Sequence, residues 1–160
     1  IAKIIRAIEP QPFRSFLTLS STPGTSWPTL MNRWQRYVAW LRHQIPELHY
    51  VAVKEEGAVT GMRHLHVILY PWVWIDQAKL SAKWEQLTGA SHVWVQRLSN
   101  EKAAGYIAKY LTKAPPGVKK AVTYSTNWPK LKPFSSWVAA EAVTMPHDHN
   151  QSMAKPPGTS

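Results

Sequence analysis

The stretch LHYVAVKEEGAVTGMRHLHVILYPW, residues 48–72, decides the fold. Two runs rich in Val, Ile, Leu and Tyr, 48–56 and 63–72, flank a short loop bounded by Gly57 and Gly61, which predicts a β-hairpin. Upstream, residues 13–20 read as a further strand, because Phe16, Thr18 and Ser20 alternate with Leu17 and Leu19. The run Ser21-Thr22-Pro23-Gly24 breaks it. Ser26 then offers a helix N-cap, and Trp27, Leu30, Met31, Trp34, Tyr37, Val38 and Leu41 recur at helical spacing until Pro46. Downstream, a second helix over 76–88 turns Leu80, Trp84 and Leu87 inward and stops at Gly89. A strand over 92–98 precedes a third helix, opened by Ser99 or Asn100 and ended after Lys113 by Pro115-Pro116-Gly117.

That order, β-α-β-β-α-β and then a helix, predicts an α+β fold. Two split βαβ units make a ferredoxin- or RRM-like antiparallel sheet with two helices on one face, leaving the third helix beside the open face. Residues 118–124 are expected to add a strand. The composition turns to Pro, Ser and Ala beyond Phe134, so residues 1–134 read as the folded domain and 135–160 as a loosely packed tail. A chain of 160 residues fits one domain, and 44% hydrophobic content excludes wholesale disorder. Lys and Arg number 19 against 9 Asp and Glu, a net charge of +10, which favours a polyanion: nucleic acid first, an acidic membrane surface second. The lack of Cys excludes disulfides, thiolate-bound zinc and thiol catalysis. No apolar run approaches the ~18 residues of a membrane span. Starting on Ile1, the chain is expected to be a processed or excised domain.

Strand parity assigns faces. Leu17 and Leu19, Val51 and Val53, Leu65, Val67 and Leu69, and Val93 and Val95 are expected to meet the two helices. Phe16, Thr18, Ser20, Ala52, Lys54, Glu56, His64, His66, Ile68, Trp94 and Gln96 then fall on the open face. His64, His66 and Glu56 would converge there, two imidazoles and a carboxylate suited to a divalent metal. A β-bulge near the turn would substitute Glu55 for Glu56. The competing reading is a pair of half-exposed strand histidines. His147-Asp148-His149 has the same spacing but sits in a polar, Pro-flanked segment with no strand to orient it. On the third helix, Tyr106, Lys109, Tyr110 and Lys113 share a third of the circumference, opposite an expected packing stripe of Ala104, Ile107, Ala108 and Leu111. An exposed Tyr/Lys face is the competing reading.

Taken in order, these residues resemble a known superfamily. His64-Leu65-His66 followed by Val67-Ile68-Leu69 resembles the histidine–hydrophobe–histidine motif of HUH endonucleases, and Phe16-Leu17-Thr18-Leu19-Ser20 their first motif. Tyr106-Ile107-Ala108-Lys109-Tyr110-Leu111-Thr112-Lys113 is similar to the double-tyrosine motif of rolling-circle replication initiators of single-stranded DNA phages. The resemblance spans residues 13–113. It implies one Mg²⁺ or Mn²⁺ held by His64, His66 and a carboxylate. It also implies tyrosine attack on a scissile phosphate, a 5′-phosphotyrosine link and a free 3′-hydroxyl that primes a host polymerase. Tyr106 and Tyr110 would alternate as nucleophiles, with Lys109 stabilising phenolate or phosphate charge; Tyr106 leads, since Tyr106 with Lys109 carries the pattern of single-tyrosine members. The implied partners are single-stranded DNA or an origin hairpin, a host polymerase and a helicase. The implied setting is the cytoplasm of a prokaryotic host, with no membrane association and the chain a monomer or weak oligomer.

Lys54, Arg63, Lys113, Lys119 and Lys120 are expected to follow DNA phosphates, and Trp94 and Trp72 to offer base-stacking surfaces. Trp27, Trp34 and Trp84 fall on helix stripes and read as core. The segment Tyr124-Ser125-Thr126-Asn127-Trp128-Pro129 resembles a stretch after the tyrosine helix in some phage initiators. A transposase or relaxase would use the same residues, and a non-catalytic RRM-like binder would leave the histidines and tyrosines without a role. No GxxxxGK[ST] phosphate loop is present, so no helicase motor lies in this sequence.

Overall fold

Short polar side chains start each helix of the computed structural model, which describes residues 13–126. Ser26 accepts from the Thr29 amide, Asp76 from that of Ala78 and Ser99 from that of Lys102, each satisfying an amide that the first turn leaves unpaired. The elements are β1 (Phe13–Ser20), α1 (Trp27–Gln44), β2 (His49–Glu56), β3 (Arg63–Tyr70), α2 (Gln77–Thr88), β4 (Val93–Ser99), α3 (Asn100–Leu111) and β5 (Val122–Tyr124). Helix α2 ends at Gly89, whose φ of 78° is the left-handed conformation that glycine adopts without a Cβ clash. Strand β3 stops short of Trp72 because Pro71 has no amide to give the ladder.

The sheet runs β4-β1-β3-β2-β5, antiparallel throughout, the strand order of two interleaved βαβ units plus one edge strand. Of the expected 118–124 strand, only Val122–Tyr124 pairs with β2. Leu17, Leu19, Leu65, Val67 and Val95 pack under α1 and α2, where Trp34 and Trp84 are fully buried and Trp27 partly so. The Trp84 indole N–H also donates to the Ser20 carbonyl at 2.8 Å, tying α2 to the end of β1. A smaller apolar cluster fills the other face: Phe16, Val53, Ile68 and Leu98 lie under Ala103, Ala104 and Ile107 of α3.

Two expectations about facing are corrected. In β2 the register sets Val53 opposite His66, Glu55 opposite His64, Lys54 opposite Leu65 and Glu56 opposite Arg63. Val51, Val53 and Glu55 therefore look toward α3, and Ala52, Lys54 and Glu56 toward α1 and α2; the parity is inverted with the ladder unbroken, so no bulge is involved. Because α3 covers the second face, β2 is buried on both sides, and apolarity ceases to mark the helix-facing side. In α3, Ala108 is exposed, while Ala103, Ala104 and Ile107 are buried and Tyr106, Tyr110 and Leu111 partly so. The helix turns its tyrosines to the aromatic platform of Phe16, which offers more contact area than a methyl group would exploit.

Asn127, Trp128, Pro129, His147 and His149, together with the expected boundary at 134/135, lie outside the described residues. Among those described, no helix is long and apolar enough to cross a membrane.

Candidate functional site

Antiparallel pairing of β1 with β3 sets Thr18 opposite His66 and Ser20 opposite His64. The hydroxyls consequently meet the imidazoles: Thr18 Oγ1 lies 3.3 Å from His66 Nδ1, and Ser20 Oγ lies 3.1 Å from His64 Nδ1. With each Nδ1 engaged by a hydroxyl, Nε2 is the nitrogen each ring presents outward, the arrangement in which outer partners orient metal-binding histidines. Inspection of β1 alone could have found this signal, since its hydroxyls share parity and register with the histidines.

The carboxylate on this face belongs to Glu55, whose Oε2 lies 2.5 Å from His66 Nε2. Glu56 faces away and pairs with Arg63, 3.5 Å from its Nε. His66 is buried, which pushes its pKa down to about 4 against the opposing pull of the Glu55 hydrogen bond and charge. Burial of the Glu55 carboxyl works to raise its pKa, yet the His66 hydrogen bond and the charges of His66, Lys113 and His64 hold it below the ordinary carboxylate value. Near neutral pH the pair is thus a carboxylate accepting from a neutral imidazole.

Helix α3 brings the tyrosine motif onto this cluster. The Tyr110 ring stacks on that of His66 with centroids 3.5 Å apart and planes 10° apart. Tyr106 rests one turn back against Phe16, at 5.2 Å. Burial, then the Glu55 carboxylate and Tyr106, raise the Tyr110 pKa. Lys113 reaches the centre: its Nζ lies 3.6 Å from Glu55 Oε1 and 5.8 Å from the Tyr110 ring. Lys109 Nζ sits 5.9 Å from the Tyr110 ring.

A divalent cation that favours nitrogen and oxygen donors suits this set in its chemistry, two imidazole nitrogens and one ionised carboxylate with oriented rings. The ligands are not already spread for it. Among the described residues no group of three His, Cys, Asp or Glu is arranged to hold a metal, because Glu55 closes on the His66 nitrogen that a cation would take.

The remaining expected residues divide. Trp94 lies on the same face, opposite Thr18, and is 39% exposed. Lys119 and Lys120 are exposed in the loop before β5. Lys54, expected on the open face, is buried on the other one, donating to the Lys119 carbonyl at 3.2 Å and lying over Trp27. Burial, then Lys120, lowers its pKa. Arg63 is likewise on the α1 side, donating to the Thr25 carbonyl and stacked over Trp27. Both departures follow from pairing, since Lys54 lies opposite Leu65 and Arg63 opposite Glu56 on the helix-covered face. Trp72 follows β3 in a loop, with Arg97 over its ring at 5.9 Å. Sequence reasoning missed Arg14, fully buried with its guanidinium 4.6 Å over the Tyr70 ring; strand position alone carries no signal for a buried cation.

Residues 14–115 match the family model for the ORF2-type replication-associated protein. No curated protein matches the chain. A solved structure that resembles it is the hypothetical protein ORF119 from Sulfolobus islandicus rod-shaped virus 1, at 10% identity and a TM-score of 0.47, covering 74% of this chain and 93% of that one.

Proposed function

The chain belongs to the ORF2-type replication-associated protein family, and from that premise we propose that it nicks single-stranded origin DNA by tyrosine attack and starts rolling-circle replication. One observation carries the reading: the tyrosine motif and the histidine pair, some forty residues apart in sequence, meet where Tyr110 stacks on His66 and Lys113 reaches Glu55.

His64, His66 and Glu55 would hold Mg²⁺ or Mn²⁺, which when bound supplies Lewis-acid polarisation of a phosphate oxygen. A tyrosine oxygen forms a bond to phosphorus, the P–O3′ bond breaks, and the departing O3′ takes up a proton as a free 3′-hydroxyl. The product is a 5′-phosphotyrosine enzyme. An unperturbed phenol has a pKa of about 10, and the carboxylate beside Tyr110 pushes the wrong way, so the lysines matter. Lys113 offsets the Glu55 charge and Lys109 offers a second ammonium near the ring. Tyr110-Leu111-Thr112-Lys113 repeats the spacing of Tyr106-Ile107-Ala108-Lys109, and Tyr110 is the one at His66. That proximity moves the first cut to Tyr110 and leaves Tyr106 to take the second strand. The free 3′-hydroxyl would serve a host polymerase, and rejoining is the same transfer run backwards.

A non-catalytic RRM-like binder needs its sheet face open, but α3 covers Phe16, Val53 and Ile68 there. Transposases and relaxases share the chemistry, and the replication-associated family match favours an initiator. The test is incubation with Mn²⁺ and a labelled pool of random single-stranded oligonucleotides. A protein–DNA adduct that survives denaturation is expected; its absence across the pool, with folded protein, overturns the reading.

A further inference from the structure

Helix α3 does not cover the whole face it lies on. The side chains under it run from Leu98 on β4 through Phe16 on β1 and Ile68 on β3 to Val53 and Val122 on β2 and β5. At the opposite corner Thr18, Ser20 and His64 are half-buried and Trp94 is exposed. Trp94, Thr18 and His66 occupy one row across three adjacent strands. Two inter-strand spacings separate the tryptophan from the histidine, about 10 Å. Beyond Trp94 the sheet ends, because β4 is an edge strand.

An indole 39% exposed on a strand is unlike Trp34 and Trp84, which are wholly enclosed. It is nonetheless oriented: the His92 ring lies alongside with centroids 6.3 Å apart and planes 28° apart. Exposed and backed aromatics of this kind make sequence-tolerant platforms, since every base has a π-face. Gln96, next on the same face of β4, is partly exposed and adds an amide able to pair with a base edge.

We propose that this corner is a nucleobase subsite, in which Trp94 stacks a base flanking the scissile phosphate while the phosphate lies over His64 and His66. The proposal rests on the single-stranded DNA substrate of the reading above and adds where its neighbouring base goes. The occupant is one nucleotide of that strand. The corner is continuous with the histidine site, and a chain of net charge +10 attracts the backbone that would carry the base there.

The test is a binding cycle read separately from cleavage, using protein with both Tyr106→Phe and Tyr110→Phe so that no covalent adduct forms. The probes are an oligo-dT of roughly 12 nucleotides and an abasic deoxyribose-phosphate strand of equal length, at one salt concentration. Trp94→Ala is expected to raise Kd for oligo-dT about tenfold, the size of one base–aromatic stack, and to leave Kd for the abasic strand unchanged. Trp94→Phe should restore most of the difference. Equal losses on both probes, or none on either, overturn the subsite, as does a change in sedimentation of the free protein in place of a change in DNA affinity. Thermal melting of Trp94→Ala guards against a folding defect, and if that variant melts early Trp94→Phe and Trp94→Leu carry the same comparison. Adduct formation by the parent protein on the random pool stays an independent readout: nicking without base coupling sinks this inference alone, and base coupling without nicking sinks the nicking reading alone.

Discussion

Oε2 of Glu55 lies 2.5 Å from Nε2 of His66, and the next residue, Glu56, pairs with Arg63 on the opposite face of the sheet. Adjacent carboxylates on one strand are therefore chemically unrelated. Glu55→Ala is expected to weaken Mn²⁺ binding, measured by titration calorimetry, by at least about tenfold, given that even outer partners of metal ligands are worth that much. Glu56→Ala should leave Mn²⁺ affinity unchanged and only loosen the Arg63 contact. The reverse ranking would return the ligand role to Glu56.

Why was one carboxylate legible and its parity not? Strand and helix positions follow from apolar spacing, caps and prolines, signals that act within a few residues; Ser26, Asp76, Ser99 and Gly89 sit at the ends they mark. The faces of β1, β3 and β4 are also readable, because Leu17, Leu65 and Val95 have polar or partly exposed neighbours. In β2 the run from Tyr50 to Lys54 is buried throughout, so only pairing with His66 tells its two sides apart. The same blindness affects α3. Helical spacing grouped Tyr106 and Tyr110 but gave no hint that they, and not Ala108, would meet the sheet, since that depends on Phe16 being there to receive them.

The two tyrosines are separable by their distance from the histidines. Tyr110→Phe should cut first-round adduct formation with single-stranded DNA by at least about 100-fold, the least a removed nucleophile is expected to cost. Tyr106→Phe should still form the first adduct and fail in transfer of a second strand. Denaturing gels of the labelled adduct distinguish the steps. Loss of the first adduct in Tyr106→Phe alone would restore Tyr106 as the leading nucleophile.

Lys113 and Lys54 make opposite predictions despite equal charge. Lys113 is exposed beside Glu55 and Tyr110, whereas Lys54 is buried on the α1 face against Trp27. Removing one phosphate contact lowers the slope of log affinity against log salt by about 0.7 for a single strand. Lys113→Met should show that change in fluorescence anisotropy titrations over several salt concentrations. Lys54→Met should not, and a slope change there would mean that the helix-covered face also meets DNA.

The seat of α3 gives the last prediction, since the position of Tyr110 depends on it. Ile107 is fully buried among Phe16, Val53 and Ile68, while Ala108 is exposed one residue later. Truncating a buried isoleucine to alanine costs about 2–5 kcal/mol, from lost transfer energy and the cavity left behind. Ile107→Ala should therefore lower the denaturation midpoint and, by loosening the helix, reduce adduct yield as well. Ala108→Lys places a charge in solvent and should stay within about 0.5 kcal/mol of the parent in urea titration. A helix turned by one residue, ~100° about its axis, would invert the two results. In that case Ala108 would pack on the sheet and the Tyr110 ring would leave His66.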